Sequence, residues 1–205
     1  MTLTADEVRA IRAGQDDDIE RLRREMAGSL ARLAPRSVLS VGEGCDRRAT
    51  FVGGCLATGA LPGSTELVVP FDLEAAAESF HHAGPPSIGP CRLAPLLGDV
   101  LAPPLRAGSF DLVVASLMID DVDDPPAAVV SMAALTRPGG TLLVSGHGID
   151  VVPEWRGVHG ILGAFHDHQV HPHQAGRWVV DAGATVTGRR VWDHTWLVEA
   201  VAPSA

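Results

Sequence analysis

The feature that most restricts the fold is an alternation of short apolar runs with helix-forming stretches, which begins after Pro35. The apolar runs have the length of buried strands and occupy residues 37–41, 66–71, 92–97, 110–116 and 141–145. Stretches compatible with helices lie between them at residues 47–58, 73–81 and 126–135. Strands that alternate with helices predict an α/β fold, in which helices cover both faces of a mostly parallel sheet.

The two ends of the chain differ from this alternation. Residues 184–191 and 195–201 are β-rich and are joined by the short link Trp192-Asp193-His194, which predicts an antiparallel hairpin. Residues 5–33 are mostly helix formers, and Gly14 is expected to set a short first piece apart. We expect a helix that packs on one flank of the sheet, in preference to a substrate lid. Its apolar stripe recurs at spacings of three and four, at Ile19, Leu22, Met26, Leu30 and Leu33.

Size, composition and charge indicate one domain that acts on small molecules. The 205 residues suit a single hydrophobic core, no linker divides them, and 46% hydrophobic residues fit strands buried on both faces. A net charge of −9 argues against a nucleic-acid partner, because phosphate binding needs a basic surface. The chain is compatible with a homodimer, although the sequence locates no interface.

The N-terminus and the cysteines indicate the compartment. The N-terminus lacks the pattern of a secretory signal, and no apolar stretch approaches the length of a membrane span. Cys45, Cys55 and Cys91 lack the spacing of metal ligands or redox pairs, so free thiols are expected. We therefore expect a cytoplasmic protein without a membrane partner.

A glycine-containing turn, Ser-Val-Gly-Glu-Gly-Cys-Asp, runs from Ser40 to Asp46 at the end of the first predicted strand. Gly42 and Gly44 allow a sharp bend and leave room for a ligand against the backbone, although such pairs are common after strands. Asp72 ends the second predicted strand, where a carboxylate either binds the hydroxyls of a ribose or caps the next helix. These features alone leave both roles of Asp72 open.

Three further motifs make the pattern specific: Gly98-Asp99-Val100, Phe110-Asp111 before an apolar run, and Arg137-Pro138-Gly139-Gly140 before the run at 141–145. In order and spacing, residues 37–145 resemble the small class I S-adenosylmethionine-dependent methyltransferases, of the type 11-like group. The resemblance implies a Rossmann-like, mostly parallel sheet of seven strands that ends in the antiparallel hairpin. The hairpin and the incomplete dinucleotide spacing disfavour a nicotinamide oxidoreductase.

The resemblance also implies S-adenosylmethionine as the cofactor, bound at the carboxyl ends of the strands. Gly42 and Gly44 would lie against its methionine and ribose, Asp72 would bind the ribose hydroxyls, and Asp99 would face the adenine amino group. Asp111 is instead expected to fix the start of its strand. The full set expected to bind the cofactor is Gly42, Glu43, Gly44, Asp46, Asp72, Leu73, Asp99, Val100, Ser116 and Leu117.

The cofactor turn departs from the family pattern at two positions. Ser40 stands where the family usually has an acid that helps to hold the methionine ammonium. Asp46 stands where the family usually has a small residue, commonly glycine. Glu43 or Asp46 could supply the missing carboxylate, and weakened or altered cofactor binding is the alternative.

A general base for transfer to a hydroxyl acceptor is expected beyond the strand ends, where histidines are concentrated. Residues 165–173 contain four imidazoles, which could act as a base, a proton relay or metal ligands. Pro172 is expected to begin a helix, which makes His171 its N-terminal flank. The expected catalytic residues are His147, His166, His168 and His171, and no metal is assigned.

An acidic group, from Asp120 to Asp124, follows the fourth predicted strand. Asp120 and Asp121 are candidates to contact a cationic acceptor, or to bind a divalent ion together with His147. Ordinary helix-start chemistry before Pro125 is the favoured role of the group. Trp155 is a candidate wall for an apolar substrate, whereas Trp178 is expected in the core.

These features predict a single domain with three parts: a helical cover (1–34), a cofactor-binding half (35–146) and a substrate end (147–205). The expected reaction is transfer of a methyl group from S-adenosylmethionine to an oxygen or nitrogen of a small molecule, in specialised biosynthesis. One alternative keeps the fold and uses the histidines for cyclisation, elimination or metal-assisted hydrolysis. Another is a binding subunit without catalytic activity.

Overall fold

The structure is a computed structural model that describes residues 5–42, 61–72, 87–88, 90–148 and 169–204. The helices predicted at 47–58 and 73–81 lie outside the described residues. The helices that it describes are α1 (Ala5–Leu33), α2 (Pro125–Leu135) and α3 (Pro172–Asp181). The strands are β1 (Ser37–Val41), β2 (Leu67–Asp72), β3 (Ser87–Ile88), β4 (Cys91–Leu93), β5 (Leu96–Leu97), β6 (Phe110–Ala115), β7 (Thr136–His147), β8 (Thr185–Val191) and β9 (Thr195–Val201).

The described strands form one sheet in the order β3-β4-β2-β1-β6-β7-β9-β8, with β5 paired to β2. The pairs β4-β2, β2-β1, β1-β6 and β6-β7 are parallel, whereas β7-β9 and β9-β8 are antiparallel. The predicted α/β fold, with a mostly parallel sheet and a C-terminal antiparallel hairpin, is therefore confirmed. The sheet has more strands than the seven predicted, because β3 and β5 add short pieces at one side.

Two predicted strands differ from the structure by more than one residue. The strand predicted at 92–97 is divided into β4 and β5 at Ala94 and Pro95. Pro95 has no amide hydrogen to donate and therefore does not continue a ladder of hydrogen bonds. β7 begins at Thr136, directly after α2, and includes the Arg-Pro-Gly-Gly turn that was expected to precede it.

The core lies on both faces of the sheet because successive strand residues point to opposite sides. Val38 packs on the α1 side, whereas its neighbour Leu39 packs on the side of α2 and α3. The same alternation divides Leu112 from Val113. Cys91 is a free thiol buried on the α1 side, and desolvation by burial raises the pKa of this thiol. Within the described ranges, no helix combines the length and apolarity needed to cross a bilayer.

The N-terminal helix packs on the sheet through the predicted stripe, in which Leu22, Met26 and Leu30 are fully buried. The expected break at Gly14 is wrong, because α1 continues through this residue. Gly14 instead allows a close approach, since a Cβ built there would lie 2.9 Å from Cε1 of His194 in the C-terminal hairpin. One glycine costs a helix only about 1 kcal/mol, which the packing of the stripe outweighs.

Polar contacts also join α1 to the hairpin. The backbone and Nδ1 of His194 lie 2.7 and 3.0 Å from Oδ2 of the buried Asp18. Near the other end of α1, Arg32 donates to both carboxylate oxygens of Glu199 at 2.9 Å. Ser29 also donates to Glu199, at 3.1 Å. The helix is thus held to the C-terminal hairpin at two places, by Asp18 and by Ser29 with Arg32.

Two substitutions in α1 test this packing in opposite directions. We expect Leu30→Ala to lower the free energy of unfolding by about 2–5 kcal/mol, because it removes a fully buried side chain. We expect Gly28→Ala to raise it by about 0.5–1 kcal/mol, because Gly28 is helical and a Cβ there meets no atom within 4 Å. Urea denaturation followed by circular dichroism measures both. Equal effects of the two changes would contradict the described packing.

Candidate functional site

The carboxyl ends of β1, β2 and β6 meet at one edge of the sheet, which we call the carboxyl edge. Val41 lies opposite Phe71 of β2 and Ala115 of β6. Just beyond Val41, the amide of Gly42 donates to the Phe71 carbonyl at 3.0 Å. The amide of Ser116 donates to the Val41 carbonyl at 3.4 Å. The chain therefore leaves β1 after Val41 and β6 after Ala115, at neighbouring positions of the carboxyl edge.

Gly42 is the first glycine of the predicted cofactor turn, and its conformation requires glycine. Its φ is +85°, in the left-handed region that side chains disfavour. A Cβ built on Gly42 would lie less than 3.0 Å from Cβ and Cγ of Met118, which follows β6. The bend therefore packs the backbone after β1 directly against the Met118 side chain after β6. Glu43, Gly44 and Asp46 lie outside the described residues.

Two more of the predicted cofactor residues lie near this edge. Asp72 is the last residue of β2 and pairs with Leu97 of β5, two residues before Asp99. Asp99 is exposed, and its Oδ1 accepts from the amide of Leu101 at 2.8 Å. Val100 is buried, with 5% of its surface exposed. The turn after β5 thus brings Asp99 toward the end of β2, whereas Leu73 lies outside the described residues.

The backbone after β6 is strained, which sequence reasoning did not anticipate. Leu117 has a φ of +53°, unusual for a residue with a branched side chain, and it is buried. Its amide donates to Oγ of Ser145 at 3.0 Å, and that hydroxyl donates to the Ala115 carbonyl at 3.1 Å. Ser145 therefore spans the turn and offsets part of its cost. Strain of this kind clusters at functional sites, and the small polar residue late in the fifth predicted strand was the available signal.

The predicted acidic residues separate into different roles. Asp120 is fully buried, and its carboxylate accepts from the amides of His147 at 2.8 Å and Val170 at 3.1 Å. These contacts favour support of the backbone over contact with a substrate. Asp121 is half-buried beside it. Asp124 caps α2 by accepting from the amide of Ala127 at 3.1 Å, which confirms the helix-start role for this member of the group.

Asp111 has the structural role expected of it. Its Oδ2 accepts from the amides of Arg36 and Ser37 at the start of β1, at 2.6 and 3.0 Å. Its Oδ1 pairs with the Arg137 guanidinium at 2.7 Å. The carboxylate therefore ties the amino ends of β1, β6 and β7 together, at the opposite edge from the cofactor turn.

Two of the predicted catalytic histidines lie among the described residues. His147 ends β7 and is half-buried. His171 directly precedes α3, which begins at Pro172 as predicted, and its amide donates to Oε1 of Gln174 at 2.9 Å. Its ring stacks on that of His173 at 5.4 Å. His166, His168 and Trp155 lie outside the described residues, and Trp178 is half-buried against the core.

A model of the family described as a methyltransferase domain matches residues 53–144. This segment contains the motifs around Asp99, Asp111 and Gly139. Residues 53–144 therefore match a methyltransferase domain, as the sequence motifs predicted. Domains of this class take S-adenosylmethionine as their methyl donor, as the resemblance implied.

One curated relative and many solved structures are similar to this chain. Malonyl-acyl-carrier-protein O-methyltransferase of Gallionella capsiferriformans is 37% identical over 68 residues, 33% of this chain and 23% of the relative. The match therefore spans less than a quarter of that protein. An O-methyltransferase family protein from Burkholderia thailandensis is 19% identical, with a TM-score of 0.64 over 93% of this chain and 59% of that one. The cyclase SpnF is 13% identical, with a TM-score of 0.66 over 90% of this chain and 82% of that one.

These structural likenesses establish the fold of the domain. Among the described residues, no group of three or more His, Cys, Asp or Glu side chains could hold a metal ion. The described residues of the candidate site therefore comprise a glycine bend, a strained turn, Asp72 at the end of β2, Asp99 beyond β5 and two histidines.

The hydroxyl of Ser145 provides a test of the strained turn in the methyltransferase domain. We expect Ser145→Ala to lower the free energy of unfolding by about 1–3 kcal/mol, because it leaves the buried amide of Leu117 without this acceptor. Ser131→Ala, on the half-buried side of α2, should change it by less than about 0.5 kcal/mol. Urea denaturation compares them. Equal stability of Ser145→Ala and the wild-type protein would show that the bridge contributes nothing.

Proposed function

We propose that this protein binds S-adenosylmethionine at the carboxyl edge and transfers its methyl group to an oxygen or nitrogen of a small molecule. The observation that carries the proposal is the bend at Gly42, which packs against Met118 and leaves no room for a side chain. The left-handed bend turns the chain away from β1 at the carboxyl ends of parallel strands, where open α/β sheets bind ligands. The acids at 72 and 99 follow neighbouring strand ends, which suits recognition of an adenosyl group.

Each cofactor residue has a proposed part in binding. Gly42 and Gly44 would lie against the methionine and ribose, with Glu43 or Asp46 as partner of the ammonium. Asp72 and Leu73 would meet the ribose, and Asp99 and Val100 the adenine. Ser116 and Leu117 would line the methionyl portion, at a turn held by the Ser145 hydroxyl.

The acceptor would meet the methyl group beyond the strand ends. S-adenosylmethionine supplies an electrophilic methyl group, and its displacement requires in-line alignment more than covalent help from the protein. A hydroxyl acceptor must also lose a proton, and His147 or His171 would take it, with His166 and His168 as further candidates. Asp121 and Trp155 would contact the acceptor. Asp120 is better suited to support the site, because its carboxylate is fully buried on backbone amides.

The acidic composition supports a small-molecule acceptor. A net charge of −9 does not favour a nucleic acid, whose phosphates need a basic surface. The curated relative is an O-methyltransferase that acts on malonyl-acyl-carrier protein, which supports a carboxyl or hydroxyl oxygen as the acceptor atom. We place the reaction in the biosynthesis of specialised small molecules.

A second candidate function keeps the fold and changes the chemistry. The cyclase SpnF shares the fold, so this architecture is not confined to proteins described as methyltransferases. Ser40, fully buried where the resembled family usually has an acid, favours altered handling of the cofactor ammonium. In this alternative the histidines would act in a cyclisation or elimination.

Binding of S-adenosylhomocysteine, measured by calorimetry, tests the cofactor site. We expect Gly42→Ala to weaken this binding at least about tenfold, because the left-handed backbone and the contact with Met118 both oppose a Cβ. Gly63→Ala is the matched control, since a Cβ there meets no atom within 4 Å, and it should change affinity less than about twofold. A wild-type titration without heat would contradict the proposed cofactor site.

Transfer of a radiolabelled methyl group to a panel of hydroxyl, carboxyl and amine acceptors tests the reaction. For a hydroxyl acceptor, we expect alanine at the base, His147 or His171, to lower kcat by about 10²–10⁴ at unchanged S-adenosylhomocysteine affinity. Full activity of both variants would exclude these two histidines as the base. Tight cofactor binding without transfer to any acceptor class would favour the second candidate function.

A further inference from the structure

The buried carboxylate of Asp120 joins two segments that are distant in the sequence. Its Oδ2 accepts from the amide of His147, the last residue of β7, at 2.8 Å. Its Oδ1 accepts from the amide of Val170, shortly before α3, at 3.1 Å. A carboxylate buried in this way is stabilised by charge-assisted hydrogen bonds to both oxygens.

The indole of Trp196 binds the carbonyls of the same two residues. Its Nε1 lies 3.2 Å from the His147 carbonyl and 3.0 Å from the Val170 carbonyl, and it donates to both. His147 and Val170 are therefore each held at the amide by Asp120 and at the carbonyl by Trp196. We call these four residues the carboxylate-indole clamp.

Gly146 allows the clamp to close. A Cβ built on this residue would lie less than 3.0 Å from the Trp196 indole and 2.8 Å from Oδ2 of Asp120. Its φ is not in the left-handed region, so the requirement for glycine here is one of space. The indole and carboxylate pack against β7 as closely as the backbone permits.

The clamp sets both described histidine candidates relative to the carboxyl edge. His147 is a member of the clamp, and His171 directly follows Val170. Asp120 is three residues beyond the strained Leu117 at the end of β6. One buried carboxylate, that of Asp120, therefore connects the proposed cofactor edge to the two segments that carry a proposed base.

We propose that Asp120 and Trp196 are positioning residues, which fix the backbone at His147 and before His171 in one arrangement beside the cofactor edge. This inference rests on the proposed function for its catalytic meaning. In this inference Asp120 acts by holding the backbone of His147 and Val170, and it does not contact the acceptor. Rigid neighbours would keep the base within hydrogen-bond distance of the acceptor, which proton transfer requires.

Local protection separates positioning from a general contribution to stability. Loss of the clamp should release the amides of His147 and Val170 while amides deep in the sheet, such as that of Val113, keep their protection. A residue that only stabilises the fold would, when replaced, speed exchange across the whole core together. The histidine side chains give a second signature, because the Cε1–H resonance of an assigned histidine reports a change in its surroundings.

The variants are Asp120→Asn, which retains shape but replaces one acceptor oxygen by a donor, and Trp196→Phe, which removes the indole N–H. Amide exchange measured by nuclear magnetic resonance should accelerate about ten- to hundredfold at His147 or Val170 in Asp120→Asn. The Cε1–H signals of His147 and His171 should shift or broaden in both variants.

Glu199→Gln is the matched control. It changes another buried carboxylate to an amide, but the contacts of Glu199 are with Ser29 and Arg32 of α1. It should leave exchange at His147 and Val170, and the His147 and His171 signals, as in the wild-type protein. If Asp120→Asn does not fold, the same measurements can be made on Trp196→Phe, in which the Asp120 carboxylate is intact.

Calorimetry with S-adenosylhomocysteine separates this inference from the proposed function. We expect Asp120→Asn to bind it within about threefold of the wild-type protein, because the clamp acts on the acceptor side. Unchanged exchange and histidine signals in both clamp variants would overturn the inference and leave the proposed function standing. Absence of binding by the wild-type protein would overturn the proposed function, while local exchange would still decide whether the clamp holds the two segments.

Discussion

The arrangement of the site depends on the parallel pairing of β1 with β2 and β6. Parallel strands begin at one edge of a sheet and end at the other, so residues that follow them converge whatever their separation in the chain. Asp111 supports this pairing at the amino ends, where it accepts from the amides of Arg36 and Ser37. At the carboxyl ends the chain turns away at Gly42 and Ser116, and this edge is where we propose that the cofactor binds.

Buried polar groups shape this edge at a cost that the surrounding structure offsets. Ser145 spans a turn with a left-handed leucine, and Asp120 spans two segments with its carboxylate. Each such group must find its hydrogen-bond partners, because an unpaired buried polar atom costs more than its burial returns. The apolar packing of α1 on one face, and of α2 and α3 on the other, supplies the stabilisation that permits them. Among the described residues other than glycine, Leu117 has a positive φ at this edge, and Ala34 has one between α1 and β1.

Several elements were predictable because their signals are local. Alternating apolar runs located β1, β2, β6 and the C-terminal hairpin, and Pro172 located the start of α3. The local signals failed where a distant contact prevailed. Gly14 suggested a break in α1, yet its lack of a side chain serves the approach of His194. The run at 92–97 suggested one strand, but Pro95 interrupts the ladder with β2.

Sequence patterns were sufficient for the fold class and for placing Gly42, Asp72 and Asp99 at or near strand ends, because periodicity and turn residues act over a few positions. The methyltransferase resemblance came from the order and spacing of the motifs. Only the tertiary structure decided that Ser145 supports Leu117 and that Asp120 joins His147 to Val170. Such contacts join residues 27 to 50 positions apart. They arise only when strand register and helix packing bring these groups together, and no local pattern encodes that register.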